Sequence, residues 1–194
     1  MINGWHGWVG TFTGVAVITV AVLPLAALAV WARARRRRVT GAAPAWRTSL
    51  AEVGIVYGTV PWVWVIMLPG GQAGEVPGRV SLVPLRDLYA ILADGATGQI
   101  VGNLLVFAAL GFLAPLRFVA LTSVLRILAL AAGCSVLLES AQYALRLDRV
   151  SSVDDVLLNT AGAGLAALAS RRWWRTTAGA SSGAVHVVGR PVRS

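Results

Sequence analysis

One polar stretch, residues 138–164, interrupts an otherwise apolar second half of the chain. Glu139 and Gln142 are three residues apart, so on a helix they share one face. Asp155 and Asn159 are four residues apart and share a face of the next predicted helix. Buried carboxylates of this kind can act as general acids or bases, or can accept hydrogen bonds from a polar ligand. The stretch is therefore the region where we expect function.

The composition indicates an all-α, polytopic membrane helix bundle. The chain has 194 residues, of which 57% are hydrophobic and 13% are charged, whereas a soluble domain carries about 25% charged residues. The net charge is +9, and the arginines flank long apolar runs instead of forming a basic face with interleaved aromatics. This pattern favours contact with a lipid bilayer that has anionic headgroups and excludes nucleic acid as the partner.

Cysteine and histidine predict neither a disulfide nor a metal site. Cys134 is alone, so an intramolecular disulfide cannot form. His6 and His186 lie near the two ends of the chain and lack the spacing of metal ligands. We accordingly expect no metal and no cofactor.

Apolar runs predict about five transmembrane helices and one short interfacial or re-entrant helix. The predicted spans are residues 11–31, 50–69, 99–116, a fourth that ends near residue 145, and 154–170. Residues 80–94 are too short to span, and Pro84 suits the first turn of an interfacial helix. Pro115 is expected to end the third span. Glu52, near the start of the second span, is expected to be interfacial and solvated.

Arginine distribution sets the predicted orientation. In a layout with the N-terminus outside and the C-terminus cytoplasmic, inner segments hold 13 of the 17 arginines, and outer segments hold 7 of the 8 acids. The predicted regions are residues 1–79, two transmembrane helices with a basic inner loop; residues 80–170, the transmembrane domain that carries the polar stretch; and residues 171–194, a basic, flexible cytoplasmic tail.

This layout brings polar residues of three spans into the outer third of the membrane. Glu139 would lie about 9 Å deep at 1.5 Å per residue. A carboxylate at that depth costs a few kcal/mol unless it is paired, wetted or protonated. Arg149 or Arg146 and the neighbouring amides are its expected partners. We predict one pocket that opens outward and binds a ligand through Asn103, Glu139, Gln142, Arg149, Asp155 and Asn159.

Structural roles compete with this interpretation. Ser151 and Ser152 each stand three residues before an aspartate, which is typical of a capped helix start, so Asp154 is expected to stabilise the fifth helix. The two asparagines of the predicted pocket have interhelical hydrogen bonding as their alternative role. Gly162 and Gly164 are expected to let helices approach closely.

Taken together, these motifs resemble the VanZ-like family of bacterial membrane proteins. The family pattern has an Asn, Phe, Gly and Pro stripe, then Glu-x-x-Gln, an Arg, and an Asp-Asp-x-x-x-Asn-x-x-Gly run. A Leu-hydrophobic-Pro element precedes it. The matching positions are Leu82 to Pro84, Asn103, Phe107, Gly111, Pro115, Glu139, Gln142, Arg149, Asp154, Asp155, Asn159 and Gly162. Two departures are Ser152, where many members carry a further Asp, and a spacing from Gln142 to Arg149 that is one residue longer than usual.

The resemblance implies a multi-pass protein of the bacterial plasma membrane with a role in the cell envelope. The family is named for a protein linked to teicoplanin resistance. We therefore expect the pocket to bind, or to limit the access of, an amphiphilic or lipid-linked envelope molecule such as a lipoglycopeptide.

Two other functions remain open from the residues. In the first, the protein is a membrane enzyme that acts on an envelope lipid or lipid-linked glycan, with Glu139 and Asp155 as catalytic candidates and Arg149 as an anion ligand. A divalent cation held by Asp148, Asp154 and Asp155 is a variant of it. The lack of a nucleophile motif or phosphate loop argues against catalysis. In the second, the protein is a small transporter or an assembly subunit.

Overall fold

The computed structural model describes residues 10–41 and 44–187, with side chains up to Trp174. Seven α-helices, one short 3-10 helix and two three-residue strands lie in this part of the chain. In chain order they are α1 (Phe12–Val39), α2 (Ala45–Ile66), β1 (Arg79–Ser81), α3 (Arg86–Ala93), α4 (Thr97–Val106), α5 (Ala108–Arg117), the 3-10 helix (Val119–Leu121), α6 (Val124–Ala144), β2 (Val150–Ser152) and α7 (Val153–Val187).

Helix α1 is capped at its start by a hydroxyl and ends in a run of arginines. The hydroxyl of Thr11 accepts a hydrogen bond from the backbone N–H of Gly14 at 3.1 Å, which caps the first turn. Arg36, Arg37 and Arg38 occupy the last turn, where positive charge is favoured by the helix dipole. α1 packs against α2, which in turn packs against α5.

The third predicted span is a broken helix. α4 ends at Val106 and α5 begins at Ala108, because the backbone of Phe107 (φ −113°, ψ 13°) leaves the helical conformation. The expectation that Pro115 ends this span is wrong, since α5 continues to Arg117 with Pro115 inside it. Pro115 has no N–H to donate to the carbonyl of Gly111, four residues earlier, so one backbone hydrogen bond is missing near the end of α5, but the helix continues for two more residues.

A parallel strand pair joins two distant loops and fixes the short helix α3. Val80 pairs with Ser151, and Ser81 pairs with Ser152. The predicted short helix is present, but Pro84 does not lie in its first turn: α3 begins at Arg86, after Leu85 in a left-handed conformation (φ 68°). The reason is a set of tertiary hydrogen bonds to the N-terminus of α3, described below.

Helix α7 is the centre of the bundle and contacts α4, α5 and α6. A Cβ on Gly162 would overlap the backbone of Leu104, and one on Gly111 would overlap that of Ala163. The predicted close helix approach at Gly162 is therefore present. Small side chains line these contacts and leave an alanine-rich core, whose members are Val106, Phe107, Ala114, Ile127, Ala131, Ala163 and Ala167.

The all-α membrane-bundle class is confirmed, with a difference in the number of spans. Among the described residues, four helical segments are long and apolar enough to cross a membrane: residues 12–39, 45–66, 97–117 and 124–144. The fourth span therefore begins at Val124. Helix α7, predicted as a fifth span that ends at residue 170, is not among the four, because Asp154, Asp155 and Asn159 lower the hydropathy of its first turns. It runs to Val187. The N-terminus and residues 188–194 lie outside the described residues.

Candidate functional site

The six residues predicted to form a pocket all line one cavity of about 530 Å³. Its walls come from α1, α2, α4, α6, α7, the two short strands and the loop before β2. Phe12, Trp62, Val65 and Ile66 give it an apolar side. The polar side consists of Gln99, Asn103, Glu139, Gln142, Asp148, Arg149, Asp155 and Asn159, with Arg79.

Glu139 is buried and is held by the backbone of the chain. One carboxylate oxygen accepts a hydrogen bond from the backbone N–H of Ser152 at 3.0 Å. The backbone carbonyl of Glu139 accepts another from the Ser151 hydroxyl at 2.9 Å. The predicted pairing of Glu139 with Arg149 or Arg146 is wrong: within the described residues Glu139 forms no ion pair. The β2 strand thus fixes the carboxylate without neutralising it.

Asp155 and Asn103 join α7 to α4. The Asn103 side-chain amide donates a hydrogen bond to the Asp155 carboxylate. Asn103 is buried, and Asp155 is partly exposed to the cavity. Helix α7 therefore carries a second carboxylate into the same cavity as Glu139, and this carboxylate also lacks an ion pair within the described part of the chain.

Asn159 joins α7 to α6 and leaves one acceptor unused. Its side-chain amide donates to the Ser135 hydroxyl at 2.8 Å. Its buried Oδ1 has no hydrogen-bond partner among the described residues. Interhelical hydrogen bonding, the alternative role of both asparagines, is therefore present, and the Oδ1 of Asn159 is a buried acceptor that the described residues leave unsatisfied.

Two polar cavity residues hold the C-terminal end of α2, where helix carbonyls lack partners. Gln142 donates to the carbonyl of Ile66 at 3.0 Å. Arg149 donates through Nε and Nη2 to the carbonyl of Leu68, both at 3.2 Å. Arg149 is thus anchored to the backbone and lends positive charge to the cavity edge without bonding either unpaired carboxylate.

Asp154 does not line the cavity and stabilises α3 instead of its own helix. Its two carboxylate oxygens accept backbone hydrogen bonds from Leu85 (2.6 Å), Asp87 (3.0 Å) and Leu88 (3.0 Å). The prediction that Asp154 stabilises the start of its own helix is therefore wrong, because its carboxylate bonds the start of α3. Ser152 caps the start of α7, since its hydroxyl oxygen accepts the Asp154 N–H at 3.1 Å.

The same Ser152 hydroxyl connects α7 to α3. It donates to the carboxylate of Asp87 at 2.5 Å. This hydrogen bond lowers the pKa of Asp87 below its ordinary value of 3.8, because it stabilises the charged form. Ser152 therefore links the start of α3 to the start of α7. It stands near the position where many members of the resembled family carry Asp.

Several residues of the site were missed from the sequence. Ser135 could have been found, since it lies four residues before Glu139 and seven before Gln142 on the same face of α6. Nothing in the sequence indicated that Trp62, Gln99 or the carbonyl of Leu68 belongs to the site. Only the packing of α2 and α4 beside α7 brings these groups to the cavity.

The cation site considered for Asp148, Asp154 and Asp155 is not assembled. Asp148 accepts a hydrogen bond from the backbone N–H of Gln72 at 3.2 Å and lies 3.5 Å from Arg79. Both carboxylate oxygens of Asp154 accept hydrogen bonds from backbone N–H groups at the start of α3. Within residues 10–41 and 44–187, no group of three His, Cys, Asp or Glu side chains is close enough to hold a metal ion.

Comparison with known proteins gives one match. The VanZ/LLP1 family model matches residues 55–174, which include the second half of α2, the strand pair and every residue of the cavity's polar side. No curated protein matches the chain. No solved structure matches it either. The family match covers more than half of the chain and contains the motifs on which the cavity is built, so this membrane protein belongs to the VanZ/LLP1 family.

Proposed function

We propose that this VanZ/LLP1 protein binds an amphiphilic or lipid-linked envelope molecule in the cavity, and thereby limits its access to the membrane surface, as in glycopeptide resistance. One observation carries the proposal: the carboxylates of Glu139 and Asp155 line one cavity, and among the described residues no cationic side chain is bonded to either of them. Buried acceptors of this kind need donors, which an ammonium group or the hydroxyls of a glycan can supply.

The apolar part of the lining supports an amphiphilic ligand. Phe12, Trp62, Val65 and Ile66 line the same cavity as the polar residues. Apolar walls with a few placed polar groups are typical of small-molecule sites, and about 530 Å³ falls within their usual size. A molecule with a donor-rich head and an apolar part would match both kinds of lining residue.

Binding of teicoplanin to the full chain in lipid nanodiscs would test the proposal. We expect saturable binding by the wild type and a loss of about tenfold or more for Glu139→Gln, because a hydrogen bond to a charged group contributes about 1.5–3 kcal/mol. Glu75→Gln is the matched control, since it removes an exposed loop carboxylate outside the cavity. A glycopeptide without an acyl chain should bind more weakly than teicoplanin.

Absence of teicoplanin binding by the folded wild type would overturn the glycopeptide part of the proposal. Equal affinities of the wild type and Glu139→Gln would overturn the role of the cavity.

Catalysis is the second candidate, and the specific observation that favours it is the pair of carboxylates from α6 and α7 in one cavity. Glu139 would act as a general acid or base on an envelope lipid or lipid-linked glycan, with Asp155 as its partner. Incubation of the purified protein with labelled lipid-linked precursors decides it. Turnover that is lost in both Glu139→Gln and Asp155→Asn supports catalysis, and no turnover with or without divalent metals rejects it.

A further inference from the structure

An apolar groove of about 640 Å³ lies between α1 and α2, away from the cavity described above. Its walls are made mainly of valine and alanine side chains with one tryptophan, and include Val22, Ala26, Val53, Val56, Val60 and Trp64. The groove extends along α1 from Ile18 to Arg33, which corresponds to about 22 Å of helix. This length exceeds the roughly 15 Å of hydrocarbon in one leaflet.

One end of the groove is closed by a cluster of charges. Arg33 donates to the Glu52 carboxylate through Nε at 3.0 Å and Nη2 at 2.6 Å, and Arg37 donates at 2.7 Å. Arg117 of α5 donates to the same carboxylate. Glu52 is therefore not the solvated interfacial residue that the sequence predicts: its side chain is 15% exposed and holds three helices together.

The cluster has more positive charge than Glu52 can neutralise. Three guanidinium groups face one carboxylate, which leaves a net charge of +2. The side chain of Arg33 is 53% exposed and lines the groove. Each guanidinium has five N–H donors in a planar arrangement that matches phosphate oxygens, so donors remain after Glu52 is bound.

We propose that this groove binds an anionic phospholipid, with the phosphate at Arg33 and Arg37 and an acyl chain along α1 and α2. Charge complementarity selects this occupant. A second copy of the chain would have to bring negative charge to the cluster, but Glu52 is the sole acid among residues 1–74. Two such arginine-rich ends would repel each other.

Contact quenching of Trp64 provides a direct test. The full chain is reconstituted in phosphatidylcholine nanodiscs that contain a small mole fraction of acyl-brominated phosphatidylglycerol or, in parallel, acyl-brominated phosphatidylcholine. The quenching difference between the wild type and Trp64→Phe isolates this tryptophan from the other seven. We expect brominated phosphatidylglycerol to quench Trp64 with at least about a fivefold preference over brominated phosphatidylcholine.

Variants locate the source of the preference. Arg33→Gln/Arg37→Gln should abolish it, whereas Arg35→Gln/Arg36→Gln, which removes the same charge from exposed positions of the same helix end, should retain it. If both double variants lose the preference for phosphatidylglycerol, the lipid is attracted by the overall positive charge of this helix end. That result would overturn the site.

The wild-type comparison decides the proposal even if the cluster variant fails to fold. Equal quenching by the two lipids overturns it. Absence of quenching by both lipids overturns it too, and a dimeric mass of the reconstituted protein would then show that a second copy covers the groove.

Discussion

The carboxylate of Asp154, in the first turn of α7, accepts a hydrogen bond at 3.0 Å from the backbone N–H of Asp87, in the first turn of α3. The same carboxylate also accepts from Leu85 and Leu88. A side chain of the central helix thereby caps a short helix from a distant part of the chain. Because Ser152 bonds Asp87 in return, the start of α3 and the start of α7 are fixed as one unit beside the cavity.

Replacement of Asp154 by Ala should detach α3 from the bundle. Three backbone N–H groups would lose a charged acceptor, so we expect the free energy of unfolding to fall by about 2–4 kcal/mol. Hydrogen–deuterium exchange should quicken at residues 85–88. Asp94→Asn is the control, since Asp94 is an exposed charge at the other end of α3. Unchanged exchange at residues 85–88 in Asp154→Ala would contradict the cap.

Acid should remove the stabilising contribution of Asp87. Its pKa is lowered in the folded protein by the Ser152 hydroxyl. A group with a lowered folded pKa contributes stability that is fully present above its ordinary value of 3.8 and is lost as the pH falls through the lowered value. The difference in Tm between the wild type and Asp87→Asn, measured in detergent, should therefore shrink between pH 7 and pH 3. A difference that is constant over this range would contradict the prediction.

Alanine at Gly162 or Gly111 should destabilise the bundle, since a Cβ there would overlap backbone that cannot move aside easily. Overpacking of this kind costs about 1–3 kcal/mol. Gly102→Ala and Gly133→Ala are matched controls within helices, because a Cβ at either position meets nothing within 4 Å. Unfolding curves in mild detergent check the prediction, and similar stabilities for all four variants would refute it.

Orientation in the membrane is open to a paired labelling experiment. In a Cys134→Ala background, Glu75→Cys should react with a membrane-impermeant maleimide in intact cells, and Thr40→Cys should react only after permeabilisation. Both positions are exposed, whereas Ser151 is buried and would report burial instead of sidedness. The reverse pattern would place the N-terminus in the cytoplasm and the polar loops inside the cell.

The sequence alone determined the class of the molecule and six of the residues that line its polar cavity. Long apolar runs flanked by arginine specify membrane helices whatever their neighbours, and polar residues in such helices are costly unless they face the bundle interior. For this reason Asn103, Glu139, Gln142, Asp155 and Asn159 could be assigned to one pocket from their spacing. All five, with Arg149, line one cavity.

Only the tertiary structure decided which polar groups are bonded to each other. Hydrogen bonds depend on atoms within about 3 Å, and the helix crossings, the strand pair and the break at Phe107 set those positions. The expected Glu139–Arg149 pair is replaced by bonds to Ser152 and Leu68, because β2 and the end of α2 lie closer to these side chains. Asp154, assigned by local spacing to its own helix, stabilises α3 because α3 and α7 meet in space.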